Sequence, residues 1–115
     1  MDCYSLKNIN LANFDTRNVT NMSRMFMNCK NLENVNLNNF DVGNVTDMNR
    51  MFFECDNLKS VNLSFVGVGI NNNTINVECM FNGCINLKEI YLNHKLDNNI
   101  ILNQIKSDKI NTKIF

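Results

Sequence analysis

The stretch from Cys29 to Phe52 reads C-K-N-L-E-N-V-N-L-N-N-F-D-V-G-N-V-T-D-M-N-R-M-F, and most of its pattern occurs twice in the chain. Its first half, L-x-x-V-x-L-x-x-F-D, matches L-x-x-I-x-L-x-x-F-D at residues 6–15. Its second half, N-V-T-x-M-x-x-M-F, matches residues 18–26 at the same offset. A fixed period of about 26 residues is typical of solenoids, in which a unit buries its apolar face by stacking on its neighbours.

The spacing of apolar residues predicts a strand and a helical stripe in each unit. Val35 and Leu37 alternate with polar residues, which indicates a short strand with these two side chains inward. The second half of a unit has apolar residues at the i, i+3, i+4 and i+7 spacing of one helical face: Met22, Met25, Phe26 and Cys29. The sequence therefore predicts an α/β solenoid of short parallel strands and short helices, with about 26 residues per coil.

The third copy contains an insertion, and the repeat stops after a fourth strand. Met80-Phe81 follows Met51-Phe52 at a longer interval than the first two copies show, so three residues are added in a loop within 65–73 that carries two glycines and three asparagines. Residues 87–92 predict the fourth strand. A helix at 98–106 and a last strand at 109–115 then depart from the pattern.

These observations predict a solenoid over residues 1–95 and a cap over residues 96–115. The units lie near 3–28, 29–54, 55–83 and 84–95. A cap is expected because the last coil of an array would otherwise expose its core. The chain opens in mid-repeat, and Met1-Asp2-Cys3-Tyr4 lacks the basic and apolar segments of a secretory signal. We therefore expect a piece of a longer array.

Composition argues against several classes of function. Eleven basic and eleven acidic residues give a formal net charge of zero, so a surface driven by phosphate contacts, and with it a nucleic-acid partner, is not expected. The longest apolar runs are far shorter than the roughly 18 residues of a membrane-spanning helix, so no membrane insertion is expected. The abundant asparagines, in a chain without proline, are expected to make the turns.

The cysteines and the single histidine do not predict an active site or a metal centre. Zinc loops use close pairs such as C-x-x-C, and the chain has none, so we expect no metal and no cofactor. Four cysteines share one column of the repeat and predict a stack of buried thiols: Cys3, Cys29, Cys55 and Cys84. Cys79 takes the outer position of Arg24 and Arg50, so it should be the most exposed thiol. An enzyme using Cys79 or Cys84 with His94 is the weakest hypothesis, because nothing local orients the histidine.

The outward positions of the sheet are the best candidate for binding. They form a polar and nearly neutral surface with one aromatic residue, and they comprise Asn8, Asn10, Asn34, Asn36, Ser60, Asn62, Glu89 and Tyr91. Amides and hydroxyls can bind a peptide or a glycan, and tyrosine is a favoured interface residue. A stacked ladder of asparagines that only stabilises the array is the alternative. The inserted loop is a second candidate, through Val68, Ile70 and Asn72.

The repeats L-x-x-[IV]-N-L-x-x-F-D and N-V-T-x-M-x-x-M-F-x-x-C resemble the BspA-like leucine-rich repeats, in particular the mycoplasma-lipoprotein-associated type. The resemblance covers about residues 3–92. It implies a right-handed leucine-rich-repeat solenoid without catalytic residues, acting in adhesion on a bacterial surface.

We accordingly expect a non-enzymatic module that binds a protein or glycan and belongs to a longer protein at the cell surface or secreted. A structural spacer or self-assembling unit, pairing edge to edge through the N-terminal coil, is the alternative. A cytoplasmic location is expected instead if Met1 is the native start.

Overall fold

Four parallel strands and one helix form the regular structure of the residues that the computed structural model describes, which are 6–11, 13–64, 75–92, 99–108, 110 and 112–115. The strands are β1 (Asn34–Asn36), β2 (Ser60–Leu63), β3 (Glu89–Leu92) and β4 (Lys113–Ile114), and the helix is α1 (Asn99–Ser107). The sheet order is β1-β2-β3-β4. This arrangement is compatible with a repeat-like α/β fold.

The strands pair in the register of the sequence repeat. Val35 lies opposite Val61, which lies opposite Ile90 in the next strand. All three side chains are buried, whereas their polar neighbours along each strand are exposed or half-buried. Asn8 forms a parallel bridge to Asn34 and so extends the pairing into the first unit. The predicted inward columns of β1, β2 and β3 are therefore confirmed, because a period of two fixes which side of the sheet each side chain occupies.

The second side of each unit is a turn structure, and the short helices predicted there are wrong. We call residues 22–28, 48–54 and 77–83 the turn wall. In every unit the wall has two residues with positive φ, at the same repeat positions: Arg24 and Asn28, Arg50 and Glu54, Cys79 and Gly83. Left-handed residues at every fourth position cannot belong to an α-helix.

The backbone N–H groups of the turn wall bind the next unit instead of the preceding helical turn. Phe26 N donates to Met51 O at 2.9 Å, and Phe52 N donates to Met80 O at 2.9 Å. The same pattern recurs at every second residue from 22 to 28 and from 48 to 54. In an α-helix these N–H groups would donate to carbonyls of the same helix. The turn wall therefore has hydrogen bonds between units in place of helical hydrogen bonds.

The core between the sheet and the turn wall consists of stacked equivalent residues. The rings of Phe26 and Phe52 stack at 5.4 Å between centroids, and those of Phe52 and Phe81 stack at 5.8 Å. The thiol of Cys55 donates to Phe26 O at 2.9 Å, and that of Cys84 donates to Phe52 O at 3.0 Å. Each of these columns therefore joins successive units by direct contact.

The first unit differs from the second on its outer side. The spacing of the repeat makes Leu6 equivalent to Leu32, but Leu6 is 41% exposed, whereas Leu32 is 1% exposed. Phe14 is likewise 59% exposed, and the equivalent Phe40 only 1%. Leu32 and Phe40 have a unit on each side, and within the described residues no unit packs on the outer side of the first one.

Helix α1 and strand β4 lie where the sequence predicts a helix and a last strand. Ile105 of α1 is buried in the core, and β4 pairs with β3 through Glu89 opposite Lys113. After the helix, Asp108 Oδ2 accepts a hydrogen bond from Phe81 N at 3.0 Å. The last turn-wall unit is thus contacted by a side chain from the end of α1.

Candidate functional site

The outward positions of the sheet lie side by side in rows, because the strands are in register. Asn34 pairs with Ser60 and Ser60 with Glu89, which forms one row. Asn36, Asn62 and Tyr91 form the second row, with their side chains on the solvent side of the sheet. Neighbouring strands lie about 4.8 Å apart. The structure therefore places these six predicted residues on one continuous polar surface.

A shallow groove of about 280 Å³ runs across this surface. Ile9 and Val35 also border the groove, although the side chain of Val35 is buried in the core. Its polar lining comes from three units and β3: Asn8, Asn34, Asn36, Ser60, Asn62 and Tyr91. Two predicted residues lie outside it. Asn10 lines a smaller depression of about 100 Å³ beside Asn38, and Glu89 lines a separate one with Lys88 and Lys113.

Two asparagines of the groove, Asn36 and Asn62, cap turns with their side chains. Asn36 Oδ1 accepts the backbone N–H of Asn38 at 3.0 Å, and Asn62 Oδ1 accepts that of Ser64 at 2.9 Å. Within the described residues their Nδ2 groups make no hydrogen bond. One side-chain bond of the predicted ladder is present between described units, in which Ser60 Oγ donates to Asn34 Oδ1 at 2.6 Å. Two adjacent amide donors thus remain available on the groove floor.

Tyr91 closes one end of the groove and is held in place by two contacts. Its ring stacks on Phe115 with centroids 4.9 Å apart, and its hydroxyl donates to Glu89 Oε2 at 2.9 Å. The hydrogen bond to the Glu89 carboxylate raises the pKa of Tyr91 above its usual value, so the hydroxyl stays protonated. A tyrosine fixed in this way offers a ring face at little entropic cost.

The charged residues near the groove are largely balanced. Lys59 Nζ lies 3.6 Å from Glu33 Oε1, and both side chains retain contact with solvent. Lys88 and Lys113 are exposed beside Glu89. An exposed pair of this kind contributes little to stability, about 0–1 kcal/mol. The described charges beside the groove are thus of both signs.

The thiols occupy the two environments that the repeat predicts. Cys29, Cys55 and Cys84 are buried, while Cys79 is only half-buried, as expected for an outer turn position. Burial raises the pKa of the Cys84 thiol far above its usual value, and its hydrogen bond to Phe52 O uses its proton. Cys84 is therefore unsuited to nucleophilic chemistry.

Several predicted positions cannot be compared with the structure. His94 and the loop residues Val68, Ile70 and Asn72 lie outside the described residues. Among the residues that are described, no group of three or more acidic, histidine or cysteine side chains is placed to hold a metal ion.

Sequence reasoning missed the contribution of Phe115 to the site. This residue follows β4 and stacks on Tyr91. It belongs to no repeat column, so no equivalent residue indicates which way its side chain points. Strand β4 offers only the weak signal of alternating isoleucine and polar residues, which predicts the strand but not its partner.

The comparisons with known proteins give one match. The model of a family described as Mycoplasma protein of unknown function, DUF285, matches residues 2–109. This family contains repeats and is related to the BspA-like repeats. No curated protein and no solved structure matches the chain. In the described part of the chain, no helix has the length and apolar character needed to cross a membrane.

Proposed function

Since this chain belongs to the family described as Mycoplasma protein of unknown function, DUF285, we propose that it is a right-handed leucine-rich-repeat-like solenoid that binds a protein or glycan through the outward face of its sheet. In this proposal the module is non-enzymatic and forms part of a bacterial adhesion protein at the cell surface or secreted. The observation that carries the binding role is the groove lined by six of the predicted sheet-face residues.

The solenoid is supported by the bonds between units. The first three units each contribute to the parallel pairing on one side and to the row of N–H bonds on the other. Parallel strands of one sheet must be joined by crossover connections, and these are right-handed in about 98% of cases. A chain that returns to the same sheet at a regular interval, with the same hand each time, forms a solenoid.

The binding role is supported by the unused hydrogen-bonding capacity of the groove. Asn36 and Asn62 each use the amide oxygen in a turn, and within the described residues their Nδ2 groups make no hydrogen bond. The turn bonds fix both amides before a ligand arrives, which lowers the entropic cost of binding. Tyr91 adds an anchored ring at the end of the row.

The chemistry of the groove favours an extended, neutral and polar ligand. Peptide carbonyls and sugar hydroxyls both accept hydrogen bonds from amide donors, and an aromatic ring packs against the apolar face of either ligand. The formal charge of the chain is zero, so attraction of polyanions supplies little affinity.

The proposal is tested by titrating the chain against an array of defined oligosaccharides and an array of extended peptides. For any saturable ligand, Asn36→Arg should fill the groove and lower affinity at least about tenfold, and Tyr91→Ala should remove its anchor with a loss of more than about 1 kcal/mol. Asn82→Arg is the matched control, since Asn82 is an exposed asparagine on the turn wall. Undiminished affinity in the groove variants, or no saturable binding on either array, would contradict the proposal.

A further inference from the structure

The turn wall has a direction, because all of its N–H groups that bind between units point toward the next unit. In the first unit the donors are Met22, Arg24, Phe26 and Asn28, and their acceptors in the second unit are Asp47, Asn49, Met51 and Phe53. The second unit donates to the third in the same way, at 2.7–2.9 Å. In a trans peptide the C=O points opposite to the N–H. Each of these peptides therefore directs its carbonyl back toward the preceding unit.

The first unit consequently presents a row of backbone carbonyls on its outer side. The residues equivalent to the acceptors of the second unit are Asn21, Ser23, Met25 and Met27. Within the described residues these four carbonyl oxygens accept no hydrogen bond. Unsatisfied backbone acceptors in a regular row are a template for pairing with a matching row of donors.

The apolar side chains around this row are more exposed than their equivalents in the second unit. Leu6, Phe14, Val19 and Met25 are exposed or half-buried, and each is the repeat equivalent of a residue that is at most 1% exposed. The buried equivalents are Leu32, Phe40, Val45 and Met51. The surface thus has the apolar composition of the buried layer between two units.

At the opposite end of the turn wall, one of the four N–H groups that would donate to a following unit is already used. Phe81 N donates to Asp108 Oδ2 at 3.0 Å, and Ile105 of α1 is buried in the core. An intact second copy therefore cannot offer its last row of N–H groups without losing this contact. Two first units placed face to face would oppose carbonyl to carbonyl.

We propose that the outer side of the first unit, formed by the four carbonyls and the apolar side chains around them, is a docking surface for one further repeat unit of the N-V-T-x-M-x-x-M-F type, whose turn-wall N–H groups face the row. The unit binds in parallel register, with its strand beside Asn8. This proposal does not depend on the binding role of the sheet face.

The test is a fusion in which a copy of residues 29–54 replaces Met1 and Asp2, so that the repeat phase is kept. The copy should fold onto the first unit. The urea m-value should then rise by roughly one-fifth, in proportion to the added surface, and the midpoint should not fall. Through-hydrogen-bond NMR couplings should join the amide of the copied Met48 to Asn21 C=O and that of the copied Phe52 to Met25 C=O. Amides of the copied turn wall should exchange at least about 100-fold more slowly than in the isolated peptide.

A second fusion, with the same copy placed after Phe115, serves as the control. The cap occupies that end, so the copied amides should exchange as in a free peptide. An N-terminal copy that stays unprotected, or a lower midpoint, would overturn the proposal. Concentration-dependent dimers of the unfused chain, with amide protection at the first unit, would also overturn it, because the surface would then be satisfied by a second copy.

Discussion

The carboxylate of Asp108 takes the place of a backbone carbonyl for Phe81. Its Oδ2 accepts the Phe81 N–H at 3.0 Å, whereas the equivalent N–H groups of Phe26 and Phe52 donate at 2.9 Å to carbonyls of the next unit. The other oxygen, Oδ1, accepts a hydrogen bond from Gln104 Nε2 at 2.9 Å, which orients the carboxylate. A side-chain acceptor thus replaces the backbone acceptor at this one position of the last unit.

Removal of this carboxylate should destabilise the protein. Asp108→Ala leaves the N–H of Phe81 without its partner beside a fully buried ring, and we expect a loss of about 1–3 kcal/mol. Asp108→Asn keeps an acceptor oxygen and should lose less. Urea unfolding measures both, and Asp15→Ala, at an exposed carboxylate paired with Arg17, should change the midpoint little. Equal midpoints for Asp108→Ala and the wild type would contradict the role assigned to Asp108.

Phe14 and Phe40 form a matched pair of repeat equivalents with opposite burial. Phe40→Ala should cost about 3–5 kcal/mol, because it leaves a cavity in the core. Phe14→Ala should lower stability much less, since that ring is largely exposed. Thermal unfolding of the two variants compares the same substitution at the same repeat position. Similar losses would mean that the first unit packs as tightly as the second.

The acid stability of the protein should depend in part on Asp47. Its Oδ1 accepts the N–H of Asn49 at 2.9 Å and the Asn49 Nδ2 group at 2.7 Å, and these bonds lower the pKa of Asp47 below 3.8. A carboxyl group with a lowered folded pKa stabilises the protein above its unfolded pKa. That contribution is lost as the pH falls from about 3.8 through the lower folded value.

The matched variant for this effect is Asp47→Asn. The equivalent positions, Asn21 and Asn76, carry the same turn bonds with an amide oxygen, so the variant should fold. Its urea midpoint should fall less steeply than that of the wild type below pH 4. Parallel curves for the two proteins would show that Asp47 does not contribute to the pH dependence.

Thiol modification should distinguish Cys79 from the column of buried cysteines. In a Cys3→Ser background, we expect an alkylating reagent to modify Cys79 in the native protein before Cys29, Cys55 or Cys84, because those three require opening of the core. Mass spectrometry of the digested protein identifies the modified residue, and denatured protein is the control in which all four react. Native modification of Cys84 as fast as Cys79 would contradict the packing.

The repeat pattern predicts the strands, their register and the buried columns, because each position of the repeat occurs in several units. Val35, Val61 and Ile90 illustrate this, since all three are apolar at the same repeat position, which indicates that their side chains point to the same side of the sheet. The apolar residues of the turn wall have helical spacing, so the sequence predicts a helix where the chain forms turns. Arg24 and Arg50 have positive φ, but an arginine does not indicate this conformation in a sequence. A glycine at the same positions would have indicated it.

The candidate site was predicted where it belongs to the repeat and missed where it does not. The row from Asn36 through Asn62 to Tyr91 follows directly from the period. Phe115, which stacks on Tyr91, and Asp108, which replaces a carbonyl, each occur once. Their contacts depend on the path of the chain after the last unit, for which no second copy supplies a comparison.

The common direction of the turn-wall peptides gives the stack of units an electrical polarity. Each peptide has a dipole of about 3.5 D, and dipoles aligned between units add as they do along a helix. Ordinary sheets have only a small net dipole, so the turn wall alone sets the sign, negative at Asn21–Met27 and positive at Phe81. An anion is favoured at the positive end, which is where Asp108 lies. Each added unit would lengthen this dipole, so the two ends of a longer array should differ in their preference for cations and anions.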